Sequence, residues 1–178
     1  MNKKIVSNKI AMIIAYSNFR DEEFFVTKEA IENHGITVSV ISDQMGIARG
    51  IDGADVNVET TLDNLNVDKF DAIVFIGGPG ALEHLDNQDS YRIAQDAVKY
   101  NKILAAICIA PVILAKSKAL GGKKATVWSS RLDQSAIEIL KKHDARYLKQ
   151  DIVIDSRIIT ANGPKAARQF GEEIADAL

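Results

Sequence analysis

Short runs of apolar, largely β-branched residues alternate with longer amphipathic stretches along most of this chain. Ile10 to Ala15 precedes a helical pattern from Asp21 to Asn33, and Thr37 to Ile41 follows it. Ala72 to Ile76 precedes a second such pattern, Tyr91 to Tyr100, and Ile103 to Ile107 precedes a third, Ala110 to Lys116. Continuous apolar runs of this kind suit strands buried on both faces, while apolar positions three and four apart suit helices with one covered side. The alternation predicts an α/β fold, a mainly parallel sheet with helices on both faces. Further along, Ala125 to Trp128 reads as a strand and Gln134 to His143 as a helix. Ile152 to Ile154 and Ile158 to Thr160 read as a hairpin turning at Asp155-Ser156, and Ala166 to Leu178 as a closing helix. Asp43 to Leu65 is polar and irregular, with room for a small two-stranded excursion.

Composition narrows the class. A chain of 178 residues, 47% of them hydrophobic, predicts a single domain over residues 1–178 with a sizeable core. The net charge of -2 comes from interspersed acids and bases, so there is no basic stripe for nucleic acid and no polybasic patch for a membrane surface. One cysteine cannot form an internal disulfide, and His34, His84 and His143 lack metal-ligand spacing. These features predict a cytoplasmic protein without metal or cofactor. Lys3, Lys4 and Lys9 ahead of the apolar run Ile10 to Tyr16 resemble a signal peptide, yet the run stops at Ser17, Asn18 and Arg20 without a small-residue cleavage site. It is read as the first strand, and no apolar stretch is long enough for a bilayer.

The candidate chemistry centres on ILAAICIAP, Ile103 to Pro111, where the lone cysteine, Cys108, ends a strand and a helix follows. Two readings fit: an inert small hydrophobe, or a nucleophile on a sharp strand-to-helix elbow. The elbow reading is helped by Ala106 and Ala110, because such a turn leaves no room for bulk two residues to either side. A helix start beyond the turn also favours thiolate over thiol. Gly77-Gly78-Pro79-Gly80 follows the strand AIVFI and frees backbone N–H groups for an oxyanion or a phosphate. It has the spacing of neither a Walker loop nor a dinucleotide fingerprint, which disfavours a nucleotide. Asp21, Glu22 and Glu23 open a helix, where acids complement the dipole; one of them could instead lean into the crevice and hold a proton against the sulfur of Cys108. Pro79, Pro111 and Pro164 each follow a strand, either as a rigid pocket rim at the carboxyl ends of the sheet or as ordinary loop punctuation.

AAICIAP, the turn IGGPG, the acidic turn FRDEEF and the closing segment ANGPKAARQFGEEIADAL together resemble the ThiJ/PfpI superfamily, in the same order over nearly the whole chain. The resemblance implies a flavodoxin-like three-layer sandwich. It matches Cys108 to an elbow nucleophile and Glu23 to a protonated glutamate hydrogen-bonded to the thiolate, with Glu22 as the fallback. Glu23 is preferred because its distance in sequence from Gly35 agrees with the family pattern. Gly78 and the N–H of Ile109 match the family's oxyanion-stabilising backbone groups, with Gly77, Pro79, Trp128 and Pro164 around the pocket. A neutral acid donating to sulfur would stabilise the anion without adding a second charge, and the thiol pKa is expected well below the roughly 8.5 of free cysteine.

Departures from that pattern steer the functional expectation. Peptidase members typically carry a histidine directly after the nucleophile, where this chain has Ile109, and other members place it about one strand further on, where this chain has Trp128. Trp128 could wall the pocket or belong to the core. His84 is expected on the solvent side of a helix, and His34 and His143 near helix C-termini are given no role. The related glutamine amidotransferases need a downstream His and Glu acting together, which His143-Asp144-Ala145 does not provide. The expectation is thus a cysteine enzyme attacking a small-molecule carbonyl, either a reactive aldehyde or a glycated adduct, ahead of an amide or peptide substrate. The alternative is a redox-sensing or stress-protective holdase in which Cys108 is oxidised without turnover. Family habit implies a homodimer or larger homo-oligomer.

Overall fold

A computed structural model of the chain describes residues 8–178; the Lys3 and Lys4 of the leader-like start lie outside them. Seven strands form the central sheet, in the order β11 (Ile152–Asp155), β12 (Ile158–Ala161), β8 (Ile103–Ile107), β7 (Ala72–Phe75), β1 (Lys9–Ile13), β3 (Thr37–Ser42) and β6 (Thr60–Thr61). Every pairing is parallel except β11 with β12, the hairpin expected at Asp155-Ser156, where Asp155 faces Ile158. Ser156 turns that corner at φ 59°. The first strand is the run expected from the sequence, and all five residues of β8 are buried, as a strand covered on both faces requires.

Helices cover both faces. On one side α1 (Asp21–Glu32) and α6 (Ala167–Asp176) pack on each other and on the sheet through Phe24, Ile31, Phe170 and Ile174. On the other lie α3 (Gln88–Lys99), α4 (Pro111–Lys116) and α5 (Ser135–Lys142), with Ile93, Ala97, Ile113, Leu114 and Leu140 against Ile73, Phe75 and Leu104. This is the three-layer, flavodoxin-like α/β arrangement, with a mainly parallel sheet. No helix of the described residues is long and apolar enough to cross a membrane.

Several boundaries differ from the sequence reading for local reasons. The third helix starts at Gln88 rather than Tyr91, because the side chain of Asn87 accepts from the Ser90 N–H and caps it. The apolar run near Ala125 pairs as a strand over only two residues, β9 (Lys124–Ala125), against β10 (Arg146–Tyr147). A short helix, α2 (Ala81–Leu85), follows the glycine turn where none was expected. The irregular stretch after Asp43 does hold a two-stranded excursion, β4 (Gly46–Gly50) with β5 (Asp55–Val58), and a third strand, β2 (Ser17–Phe19), joins it.

Candidate functional site

In sheets of this topology ligands sit beyond the carboxyl ends of the strands, where the chain switches from one side of the sheet to the other. Here that switch lies between β1 and β7, and three of the segments leaving this end, after β1, β7 and β8, converge. Cys108 leaves β8 with φ at +63°, a left-handed conformation that a non-glycine residue adopts only under constraint. The constraint comes from both peptide groups. Its N–H donates to Ala161 O at 2.9 Å, and its carbonyl accepts from the Trp128 N–H at 2.8 Å. Ala106 and Ala110 are fully buried around the turn, and α4 begins at Pro111. The geometry is the strand-to-helix elbow expected from ILAAICIAP.

The three acids opening α1 point three ways, as consecutive positions on a helix must. Glu22 is exposed. Asp21 turns toward the β4–β5 excursion and accepts from the N–H groups of Asp52 and Ala54, both at 2.9 Å. Glu23 points inward, has no solvent exposure, and accepts from the Gly77 N–H at 3.1 Å through Oε2. Its carboxyl group lies close enough to Cys108 for each to shift the other's titration, while Oε1 has no hydrogen-bond partner. Gly77 sits in the wedge between acid and thiol: a Cβ there would lie 2.7 Å from Cys108 Cβ and 2.8 Å from Glu23 Oε2. Gly78, at φ +114°, has Asn18 O 2.8 Å from where its own Cβ would be, so only glycine serves.

The electrostatics correct one expectation. The thiol of Cys108, only 6% exposed, is raised rather than lowered, first by burial and then by the charge of and hydrogen bond to Glu23; the N–H groups of Ile109 and Gly78 oppose this. Glu23 is itself pushed from 4.5 up to about 7, chiefly by burial, against the lowering pull of Cys108, Arg20 and the Gly77 N–H. Two acids in contact titrate as one unit. This unit sheds one proton around neutrality and holds the second, because two adjacent buried negative charges repel.

Above the sulfur opens a cavity of about 270 Å³. Leu82, Ile109 and Trp128 give it an apolar wall; Gly78, Pro79 and Arg20 complete it beside Cys108. Trp128, 36% exposed, is therefore a wall of this cavity and not core. Pro164 and Gly77 do not line it. Pro164 follows β12 in a single turn that leads into α6 on the α1 face, and Pro111 is buried in the first turn of α4, so of the three proline turns only Pro79 reaches the rim. His84 is also not where it was expected. Its Nδ1 lies 2.7 Å from Asp43 Oδ2, with 16% and 17% of the two side chains exposed, so it is tied to Asp43 instead of facing solvent. His34 and His143 lie at the C-terminal ends of α1 and α5, and no histidine lines the cavity. Arg20 is a site residue that the sequence pattern does not single out; its one local mark is its place immediately before the helix carrying Glu23.

The fold places the chain in a class of α/β sandwich proteins, and a family model matches it. The sequence matches the DJ-1/PfpI family over residues 8–177, and the chain belongs to that family. It is 40% identical over 171 residues to an uncharacterized protein of Methanocaldococcus jannaschii, covering 96% of this chain and 82% of that one. It is 26% identical over 153 residues to the deglycase PfpI of Pyrococcus furiosus, covering 86% and 89%. Among solved structures, the ThiJ/PfpI domain protein of Brachyspira murdochii superposes with a TM-score of 0.90 at 27% identity, covering 96% of each chain.

Proposed function

We propose that the protein is a cysteine enzyme acting on reactive carbonyl compounds, in the manner of a glyoxalase or deglycase. The observation that carries this reading is the Cys108–Glu23 pair opening on an apolar cavity that no histidine lines. At neutral pH the pair holds one proton. That proton rests on sulfur, and its transfer to Glu23 gives the reactive thiolate, which the N–H groups of Gly78 and Ile109 stabilise in part against burial. The thiolate adds to an aldehyde carbon, a C–S bond forms, the carbonyl π pair moves to oxygen, and Glu23 protonates that oxygen to give a hemithioacetal. For an α-oxo aldehyde, the Glu23 carboxylate so produced then takes the proton from the former aldehyde carbon. Its return to the adjacent carbon, with the hydroxyl proton passing from the first oxygen to the second, leaves a 2-hydroxy thioester, which water hydrolyses to a 2-hydroxy acid and free thiol.

Addition of this kind releases no amine, so the missing histidine costs it nothing, whereas peptide cleavage requires a leaving amine to be protonated. The name of the Pyrococcus furiosus relative, a deglycase, supports the same reading. The test is to incubate the protein with methylglyoxal and follow lactate. Lactate formation abolished in Cys108→Ser is the expected result. A mass gain of two oxygens on treatment with peroxide, with no lactate from the native protein, would replace the enzyme by a redox-sensing protein.

A further inference from the structure

Arg20 is the one cationic residue in the wall of the Cys108 cavity, and nothing in the reaction just described uses it. Its backbone is fixed, since the N–H donates to Gly77 O at 3.1 Å and its carbonyl accepts from the Phe24 N–H in the first turn of α1. Its side chain is not satisfied: Nε is buried without a hydrogen-bond partner, and the guanidinium forms no ion pair among the described residues. Of the acids near it, Asp21 is bound to the Asp52 and Ala54 N–H groups and Glu22 faces solvent. Glu23 feels its charge but is held by Gly77 and the thiol, and is neutral in the thiolate form. A buried guanidinium N–H left without a partner beside Leu82, Ile109 and Trp128 is a costly arrangement unless a ligand completes it.

We infer that Arg20 is the specificity-determining residue of this cavity, selecting α-oxo aldehydes that carry a carboxylate elsewhere on the same molecule. The inference rests on the carbonyl reading above and adds the substrate class. A carboxylate is the group that a guanidinium pairs with in two parallel hydrogen bonds, and the apolar walls strengthen the pairing by excluding water. Such a substrate places its aldehyde at Cys108 and its acid group at Arg20, and its product is a 2-hydroxy diacid.

Two measurements test it. The first compares kcat/KM for 4,5-dioxopentanoate, a terminally carboxylated α-oxo aldehyde, with that for its methyl ester. Native protein prefers the acid roughly ten- to hundredfold, Arg20→Gln erases the preference, and Arg20→Lys keeps part of it. The second needs no turnover: the ratio of Cys108 alkylation rates by iodoacetate and by iodoacetamide. Both reagents need the same thiolate, so any effect of Arg20 on ionisation cancels, and the ratio reports only attraction for the anion. It falls about tenfold in Arg20→Gln, and in native protein it falls as salt is raised. An alkylation ratio unchanged by Arg20→Gln and by salt overturns the inference. If native protein turns over neither aldehyde but the alkylation ratio responds, the enzyme reading falls and the anion-binding role of Arg20 stands.

Discussion

Two acid-containing pairs sit near the same glycine turn, and they are built to opposite ends. Glu23 with Cys108 lies below the cavity floor, where burial raises both groups and leaves them sharing a proton near neutrality. Asp43 with His84 lies across the turn, less deeply buried. There burial also works to raise the acid, but the His84 hydrogen bond, the Tyr16 N–H and the charge of His84 outweigh it, so the Asp43 carboxyl falls below its usual range. The difference teaches that solvent access and donor count decide what a carboxyl group becomes. Given several donors, it is a fixed anion that anchors a loop; given one N–H and a thiol in a dry pocket, it is a proton reservoir.

The largest expected effect comes from removing the reservoir. Glu23→Gln keeps the shape of the side chain and its contact with Gly77 but carries no acidic proton. The rate of hemithioacetal formation should drop roughly a hundredfold or more. Stability should move the other way. A carboxyl raised from 4.5 to about 7 gives the folded state an extra proton in that window, so stability is lost as the pH climbs through it and the loss is complete above about 7. The shift corresponds to roughly 3 kcal/mol. In Glu23→Gln the slope between pH 4.5 and 7 should vanish, leaving a variant that is inert yet more resistant to urea at pH 8. A native-like pH slope in the variant would show that Glu23 is not the group responsible.

Gly77→Ala attacks the same pair by crowding. The added Cβ meets Cys108 Cβ at 2.7 Å and the Ile107 carbonyl at 2.8 Å; the second is backbone of the sheet and cannot swing away. A cost of roughly 1–3 kcal/mol is expected in chemical denaturation. Because Glu23 and Cys108 are forced apart while Glu23 stays buried, the carboxyl loses a contact that holds it down and should rise further, so the loss of stability with pH should extend above 7 instead of ending there.

How much of this was readable in advance follows the physics of each part. The central strands and the cysteine elbow are local: five consecutive apolar residues and two flanking alanines declare themselves without help from the rest of the chain. Glu23 was found only through a resemblance, because on α1 itself three acids in a row look alike, and what separates them lies elsewhere. The N–H groups of Asp52 and Ala54 capture Asp21, and that of Gly77 captures Glu23, tens of residues away in sequence. The same non-local reason hid the raised thiol, the Asp43 contact of His84 and the strand β2, whose partner β4 was itself only suspected. Arg20 was hidden differently, since an unpaired cation looks like any surface arginine until the wall around it is seen.

The smallest effect sharpens the contrast from the other side. His84→Ala removes the partner of Asp43, yet that carboxylate keeps the Tyr16 N–H at 3.0 Å and the Gln44 amide at 3.4 Å, so it is not left bare. A loss of about 1–2 kcal/mol is expected, as for a partly buried hydrogen-bonded charge losing one of several donors. Its pH signature is opposite to that of Glu23. A lowered carboxyl stabilises the fold above its unfolded value, and that contribution fades as the pH falls through the lowered one, so the native protein should lose it only in strong acid while His84→Ala loses it sooner. Lactate formation from methylglyoxal should stay close to native, because His84 does not line the cavity. Acid unfolding followed by circular dichroism, together with the lactate assay, checks both halves. A variant that folds normally but makes no lactate would identify His84 as a working base and erase the distinction between the two pairs.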